Sequence, residues 1–91
     1  MVITIELSGG LEYDAGTTKL EYEIGDIKTM KDVIQVLKKN VAKLAQIFTE
    51  TSVIPGIIVL INDADWELLG YLDSEINDDD VISLISSIHG G

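Results

Sequence analysis

The sequence contains no cysteine, and this absence removes several classes of chemistry at once. Neither disulfides nor thiol nucleophiles nor cysteine-ligated zinc and iron–sulfur sites can form in this chain. The absence says little about the cellular compartment, because a chain without thiols tolerates any redox potential. Whatever the protein does must depend on other groups.

Arginine is also absent, and basic residues are few. Six lysines stand against 16 acidic residues, which gives a formal net charge of −10. Because nucleic-acid affinity comes mainly from Lys and Arg on phosphates, we expect no direct binding to nucleic acid. Five lysines fall within residues 28–43 and eight acids within residues 63–80. We therefore expect one mildly basic face and one strongly acidic face, the latter favouring encounters with a basic partner.

Histidine occurs only once, and this weighs against a self-contained enzyme. A Ser–His–Asp set would have to recruit His89 from the end of the chain, where a flexible tail cannot hold catalytic groups in position. Asp78, Asp79 and Asp80 could attract a hard cation, but a solvated turn before a strand is the simpler interpretation. We predict no catalytic residue and no metal site.

Long hydrophobic runs are missing too. No segment approaches the length of a membrane-spanning helix, and Met1 leads straight into a strand-like stretch without a signal-peptide pattern. We therefore expect a cytoplasmic protein. A chain of 91 residues with 46% hydrophobic content should form one domain, and we expect a monomer. The predicted domain spans residues 1–86, and residues 87–91 are predicted to form a flexible tail.

Alternating hydrophobicity near the N-terminus predicts a β-hairpin. Apolar residues occupy every second position in residues 2–7 and again in residues 19–24, as in strands with one buried face. The residues between them, 8–17, are rich in turn formers and include Gly9-Gly10. We expect a longish loop there.

The hydrophobic period then changes to that of a helix. Apolar residues recur at helical spacing over residues 30–41, with Thr29 as the predicted N-cap. Asp32 stands three residues after this cap, where its carboxylate can complete a capping box. Apolar residues at 44–48 predict a further turn or short helix.

The second half of the chain predicts three more strands. The sequence PGIIVLI (55–61) opens with a turn and continues as a run of apolar residues, and VISLIS (81–86) is similarly apolar on both faces. A short strand is predicted near residues 66–69. Trp66 is interpreted as a large packing anchor, an interpretation supported by the neighbouring leucines at 68, 69 and 72.

The element order is therefore β-β-α-β-β-β. We predict an α+β fold in which the first and last strands pair in parallel at the centre of a mixed sheet of about five strands. One helix covers one face of this sheet, and nothing remains to cover the other. Apolar side chains of residues 57–61 and 81–86 would then lie on the uncovered face as a docking patch, with the acidic residues nearby.

The chain ends on Gly90-Gly91, which is an unusual way to end a folded domain. Glycine makes up about 7% of residues in proteins, so this pair arises by chance in roughly half a per cent of chains. From Ser87 the tail could extend about 16 Å. Two residues without side chains can pass through a narrow channel. The terminal carboxylate resists nucleophiles unless a partner enzyme activates it with ATP, which suggests that the tail is itself a substrate.

The sequence PGIIVLINDADWELLG (55–70), followed by HGG (89–91), resembles the ubiquitin-related modifier family of eukaryotes. The motif within residues 60–70 is long and distinctive. Its distance from the terminal HGG matches the pattern of this family, and so does the position of Gly9-Gly10 near the end of the first strand. The resemblance implies the β-grasp (ubiquitin-like) fold. Members of this family share that fold with the bacterial sulfur carriers of molybdopterin and thiamine synthesis.

The resemblance also implies two activities for the C-terminus. An enzyme similar to the ubiquitin activators would consume ATP to adenylate Gly91, and its rhodanese-type persulfide would convert the adenylate to a thiocarboxylate. A tRNA thiolation enzyme would use that sulfur for 2-thiolation of the wobble uridine in certain cytosolic tRNAs. The second activity is conjugation to lysines of target proteins. Gly90 and His89 would fit the tail into the activating enzyme, and the protein itself would bind no cofactor.

Two other interpretations remain open at this point. A non-catalytic ubiquitin-like binding module with an idle tail predicts that deleting Gly91 changes nothing. A carrier for molybdopterin synthesis would use the same chemistry with a different partner, although the motif at residues 60–70 argues against it.

Overall fold

The computed structural model describes residues 1–87 and confirms the mixed five-stranded sheet. In space the strands follow the order β2-β1-β5-β3-β4. The central strands β1 and β5 are parallel, and every other neighbouring pair is antiparallel. The strands are β1 (Val2–Ser8), β2 (Lys19–Glu23), β3 (Ile57–Ile61), β4 (Ala64–Asp65) and β5 (Val81–Ser86).

The N-terminal hairpin has the predicted alternation, but its loop contains a helix that the sequence reading missed. Helix α1 (Leu11–Ala15) follows Gly10, whose backbone N–H donates to Glu12 Oε1 at 2.7 Å. The side chain of Leu11 is fully buried. Burial of this leucine stabilises one short turn of helix in a segment whose composition alone indicates only turns.

Helix α2 (Met30–Asn40) is the main helix, and it begins as predicted. The backbone N–H groups of Lys28 and Thr29 both donate to Asp32 Oδ2, at 2.9 and 3.1 Å. These bonds satisfy donors that the first turn of a helix leaves unpaired. They stabilise the charged carboxylate, and they therefore hold the pKa of Asp32 below its ordinary value.

One hydrophobic core lies between α2 and one face of the sheet. The helix contributes its apolar stripe, while β1, β3 and β5 contribute every second side chain. A 3₁₀ helix over Ala42–Ile47 closes one side of the core, as the apolar residues there predicted. The fully buried core side chains include Ile3, Ile5, Met30, Leu37, Leu44, Ile82 and Leu84.

The region after β3 differs from the prediction of a strand near residues 66–69. The edge strand is β4 at Ala64–Asp65, and a 3₁₀ helix begins at once over Trp66–Leu68. Asp65 Oδ1 accepts a hydrogen bond from Glu67 N at 2.9 Å, which caps this helix and ends the strand. A second 3₁₀ helix spans Tyr71–Asp73.

Trp66 is buried in the core with 4% of its surface exposed, as predicted. The prediction that the neighbouring leucines support it is wrong for two of the three. Leu68 is 82% exposed and Leu69 is 45% exposed, because the tight 3₁₀ turn directs them away from the core. Leu72 alone packs partly against the core.

The turn after β1 is packed directly on the end of β5. Gly9 has a φ of +72°, which L side chains rarely adopt, and a methyl group at this position would collide with the backbone carbonyl of Ser86. Gly16 has a similar φ of +75°, but nothing lies near it. Gly9 is therefore needed for close approach as well as for conformation.

We expect Trp66→Ala to lower the free energy of unfolding by roughly 3–5 kcal/mol, because it leaves a large cavity in the core. Denaturant unfolding followed by circular dichroism measures this. Leu68→Ala, at an exposed position two residues away, is the control and should stay within about 0.5 kcal/mol of wild type. Equal stabilities for the two variants would refute the packing role of Trp66.

A second comparison separates steric contact from backbone strain. Gly16→Ala should cost about 1–2 kcal/mol, since it adds only the left-handed strain. Gly9→Ala should cost roughly 1–3 kcal/mol more, since it also displaces the end of β5. Parallel denaturant titrations of both variants test this, and equal losses would mean that the Gly9 contact with Ser86 has no energetic weight.

Candidate functional site

The strand that leads to the C-terminus is held on both sides up to its end. β5 lies between β1 and β3, where Ile85 pairs with Ser8 and Ser86 pairs with Ile57. A strand bonded on both edges has all of its ladder groups occupied and little freedom to shift. The position of the chain at Ser86 is therefore set by the centre of the sheet.

Ser87, the last described residue, is still bound to the domain. Its backbone N–H and its hydroxyl Oγ both donate to the carbonyl oxygen of Gly56, at 2.8 and 2.9 Å. Gly56 belongs to the predicted Pro-Gly turn and has a φ of +94°. The predicted site residues His89, Gly90 and Gly91 lie outside the described residues.

The uncovered face of the sheet carries apolar side chains near the end of β5, as the apolar residues on both faces of strands 57–61 and 81–86 predicted. Ile58 is 42% exposed and stands opposite Ile85, which is half-buried. Leu60 continues the row along β3. Toward β2 the face becomes polar, because Glu6 and Lys19 stand opposite each other on neighbouring strands. The result is an apolar patch with a charged border, suited to contact with another protein.

The acidic run before β5 has a structural role. Asp80 Oδ1 accepts a hydrogen bond from Asn62 Nδ2 and Asp80 Oδ2 accepts one from Asn77 N, both at 2.8 Å. Asn62 Oδ1 in turn accepts from Val81 N at 2.9 Å. These bonds close the turns at the start of the central strand. Within residues 1–87, no three potential metal-ligating side chains come together.

The described residues hold the last strand in place up to Ser87. The sequence reading identified the terminal glycines but missed the contacts that precede them: Gly9 against Ser86, and Gly56 with Ser87. Gly9 and Gly56 were themselves the available signal in the sequence. Gly9 directly follows β1 and Gly56 directly precedes β3, and both lie at the end of the sheet where β5 ends.

None of the helices in residues 1–87 is long and apolar enough to cross a membrane.

Comparison with known proteins gives full-length relatives. The sequence model of the Urm1 (ubiquitin related modifier) family matches residues 2–91. The chain is 39% identical to ubiquitin-related modifier 1 homolog 2 of Arabidopsis thaliana over 99 residues, and the match covers all of both chains. It is 44% identical to the Dictyostelium discoideum homolog over 96 residues, again with complete coverage of both.

Solved structures agree with this match. The solution structure of Urm1 from Trypanosoma brucei has a TM-score of 0.78 at 32% identity and covers 99% of this chain and 95% of that chain. A chain of the Amycolatopsis orientalis BexX/CysO complex has a TM-score of 0.82 at 23% identity, covering 98% of this chain and 99% of that one. The second likeness concerns the fold alone, which is the β-grasp fold expected from the sequence. With a family match that runs from the first strand to the final glycine, this chain belongs to the ubiquitin-related modifier family.

Proposed function

We propose that this protein is a sulfur carrier that works in the cytoplasm and carries sulfur as a thiocarboxylate on Gly91. The observation that supports this most directly is the family match over residues 2–91, which includes His89, Gly90 and Gly91. The absence of cysteine agrees with it, because a carrier whose sulfur sits on a carboxyl carbon needs no thiol of its own.

The chemistry of the terminus requires a partner enzyme. The Gly91 carboxylate is ionised at neutral pH, since the reference pKa of an α-carboxyl is about 3.3–3.7. Its oxygen would displace pyrophosphate from ATP to give an acyl adenylate. A persulfide sulfur of a rhodanese domain would then displace AMP, and cleavage of the sulfur–sulfur bond by a thiol would leave the thiocarboxylate.

The domain contributes a rigid holder for this tail. Ser87 is fixed to Gly56, and Gly9 packs on Ser86, so that binding of the domain by a partner also orients the point at which the tail begins. Gly90 and Gly91 lack side chains and suit a narrow channel in a ubiquitin-activating-like enzyme. His89 would be the side chain that this enzyme recognises. The apolar patch around Ile58 and Ile85 is the surface on which we expect it to dock.

The sulfur acceptor we propose is the wobble uridine of cytosolic tRNAs, reached through a separate tRNA thiolation enzyme. A net charge of −10 and the absence of arginine support delivery through an enzyme in place of direct tRNA binding. The chain in the BexX/CysO complex, which has the same fold, is likewise found together with a partner protein.

We further propose that the same activated Gly91 is conjugated to lysines of target proteins. A lysine amine that attacks the carbonyl carbon of the Gly91 adenylate would displace AMP and form an amide, so the amine and the persulfide would compete for the same activated carbon. The two fates leave different products. Sulfur transfer regenerates free protein, whereas conjugation leaves adducts of higher mass.

Intact-protein mass spectrometry of the chain purified from its own cells tests the proposal. We expect an oxygen-for-sulfur mass increase confined to the C-terminal peptide of the wild-type chain. Deletion of Gly91 or Gly90→Phe should abolish this increase, the adducts and the 2-thiouridine of the tRNA, because the reactive carbon is lost or cannot enter the enzyme. Gly25→Ala, at a glycine in an exposed turn of the domain, should retain all three.

Folding must be checked in parallel with amide NMR spectra, which should be unchanged for residues 1–87 in both tail variants. A thiocarboxylate or adducts on the truncated chain would disprove Gly91 as the reactive site. If the wild-type terminus stays unmodified and its deletion leaves thiolation intact, the protein is a ubiquitin-like binding module with an idle tail.

A further inference from the structure

A second exposed apolar surface lies beyond the edge strand β4, away from the strand that leads to the tail. It comprises residues 65–73, here called the 65–73 surface. Leu68 and Leu69 are the exposed leucines described above, and Tyr71 is 44% exposed. Three large apolar side chains close together in sequence and open to solvent are unusual on a small acidic domain, and such patches mark interaction sites.

This surface is mounted firmly on the core. The ring of Tyr71 packs edge-to-face on the buried ring of Trp66, with centroids 5.6 Å apart. Tyr71 has a φ of +55°, and it follows Gly70 at +113°. A left-handed backbone at a bulky aromatic residue is uncommon and persists only where the surroundings impose it. The apolar side chains are therefore presented on a stable base.

The 65–73 surface is also negatively charged, and its carboxylates have no lysine partners within residues 1–87. Asp65, Glu67 and Asp73 border the apolar side chains. The charge of Glu67, followed by desolvation, a hydrogen bond to Glu67 and the charge of Asp65, raises the pKa of the Tyr71 hydroxyl. Among residues 1–87 the single ion pair joins the Met1 ammonium to Glu23, so no lysine of this part of the chain forms an ion pair with these carboxylates.

A shallow groove borders the surface and extends it toward the turn that precedes β3. The groove is lined by Thr51, Ser52, Gly70, Tyr71, Leu72 and Asp73, and its walls are mainly apolar. An apolar side chain entering there would lie among Tyr71 and Leu72, while a cation beside it would meet Asp73. The groove and the 65–73 surface therefore place apolar side chains and negative charge side by side.

We propose that the 65–73 surface docks a partner protein through a basic segment that carries apolar side chains beside its lysines or arginines. The charge complementarity selects this occupant, because phosphates of nucleic acids and anionic lipid headgroups would be repelled by the bordering carboxylates. The surface is separate from the Ile58–Ile85 patch and does not depend on the reactivity of Gly91. A partner could therefore bind here while the tail is engaged elsewhere.

Amide NMR titration of the full chain tests this with a synthetic helical peptide of leucine and tryptophan on one face and arginine on the other. We expect shifts at residues 67–73 and at Thr51 and Ser52, with a dissociation constant that rises with salt. Leu68→Ser with Leu69→Ser should weaken binding at least about tenfold, because it removes most of the exposed apolar area. Glu67→Gln should weaken it several-fold and reduce the salt dependence.

Ile58→Ser is the control, since it removes from the other patch an apolar side chain about as exposed as Leu69, and it should bind within about twofold of wild type. A peptide with glutamate in place of arginine should not bind. Shifts centred on Ile58 and Ile85, or equal binding of the glutamate peptide, would overturn the proposal. So would concentration-dependent shifts at 67–73 without peptide, since they would assign the surface to a second copy of this chain.

Discussion

The parallel pairing of β1 with β5 is the contact on which the rest of the structure depends. It joins the first and last strands of the chain, and parallel neighbours require a long crossover between them. Everything from α1 to the turn at Asp80 belongs to that crossover. Helix α2 can then bury the inner face of the two strands, and the remaining strands can only add at the edges.

The same pairing bears on the function proposed above, because it sets where the chain reaches its last described residues. The reactive group proposed here is a carboxylate at the chain terminus, which needs positioning and access more than it needs neighbouring side chains. Because β5 is bonded on both edges and Ser87 is bound to Gly56, the domain fixes the chain up to residue 87. The two surfaces proposed for partner binding lie on the open sheet face and beyond the edge strand.

Much of this was predictable from local patterns, and the failures have physical causes. Alternation predicts β1 and β2, helical spacing predicts α2, and Asp32 caps that helix as its position indicates. The helix that contains Leu11 was not predicted, and the packing role predicted for Leu68 was wrong. Leu11 is buried by a helix that its glycine-rich surroundings conceal, and Leu68 is exposed because Asp65 caps a tight turn before a strand can continue. Hydrophobicity alone does not tell which way a turn directs its side chains.

The sequence by itself determined the order of the strands and the main helix, the absence of thiol chemistry and the identity of the terminal glycines, since these depend on composition and short-range periodicity. Only the tertiary structure decided where these features meet. The approach of Gly9 to Ser86, the bond from Ser87 to Gly56 and the exposure of Leu68, Leu69 and Tyr71 all depend on contacts between distant segments or on backbone angles. The first two contacts follow from how the sheet closes around β5, and the exposure follows from the 3₁₀ turns after β4; hydrophobic periodicity encodes neither.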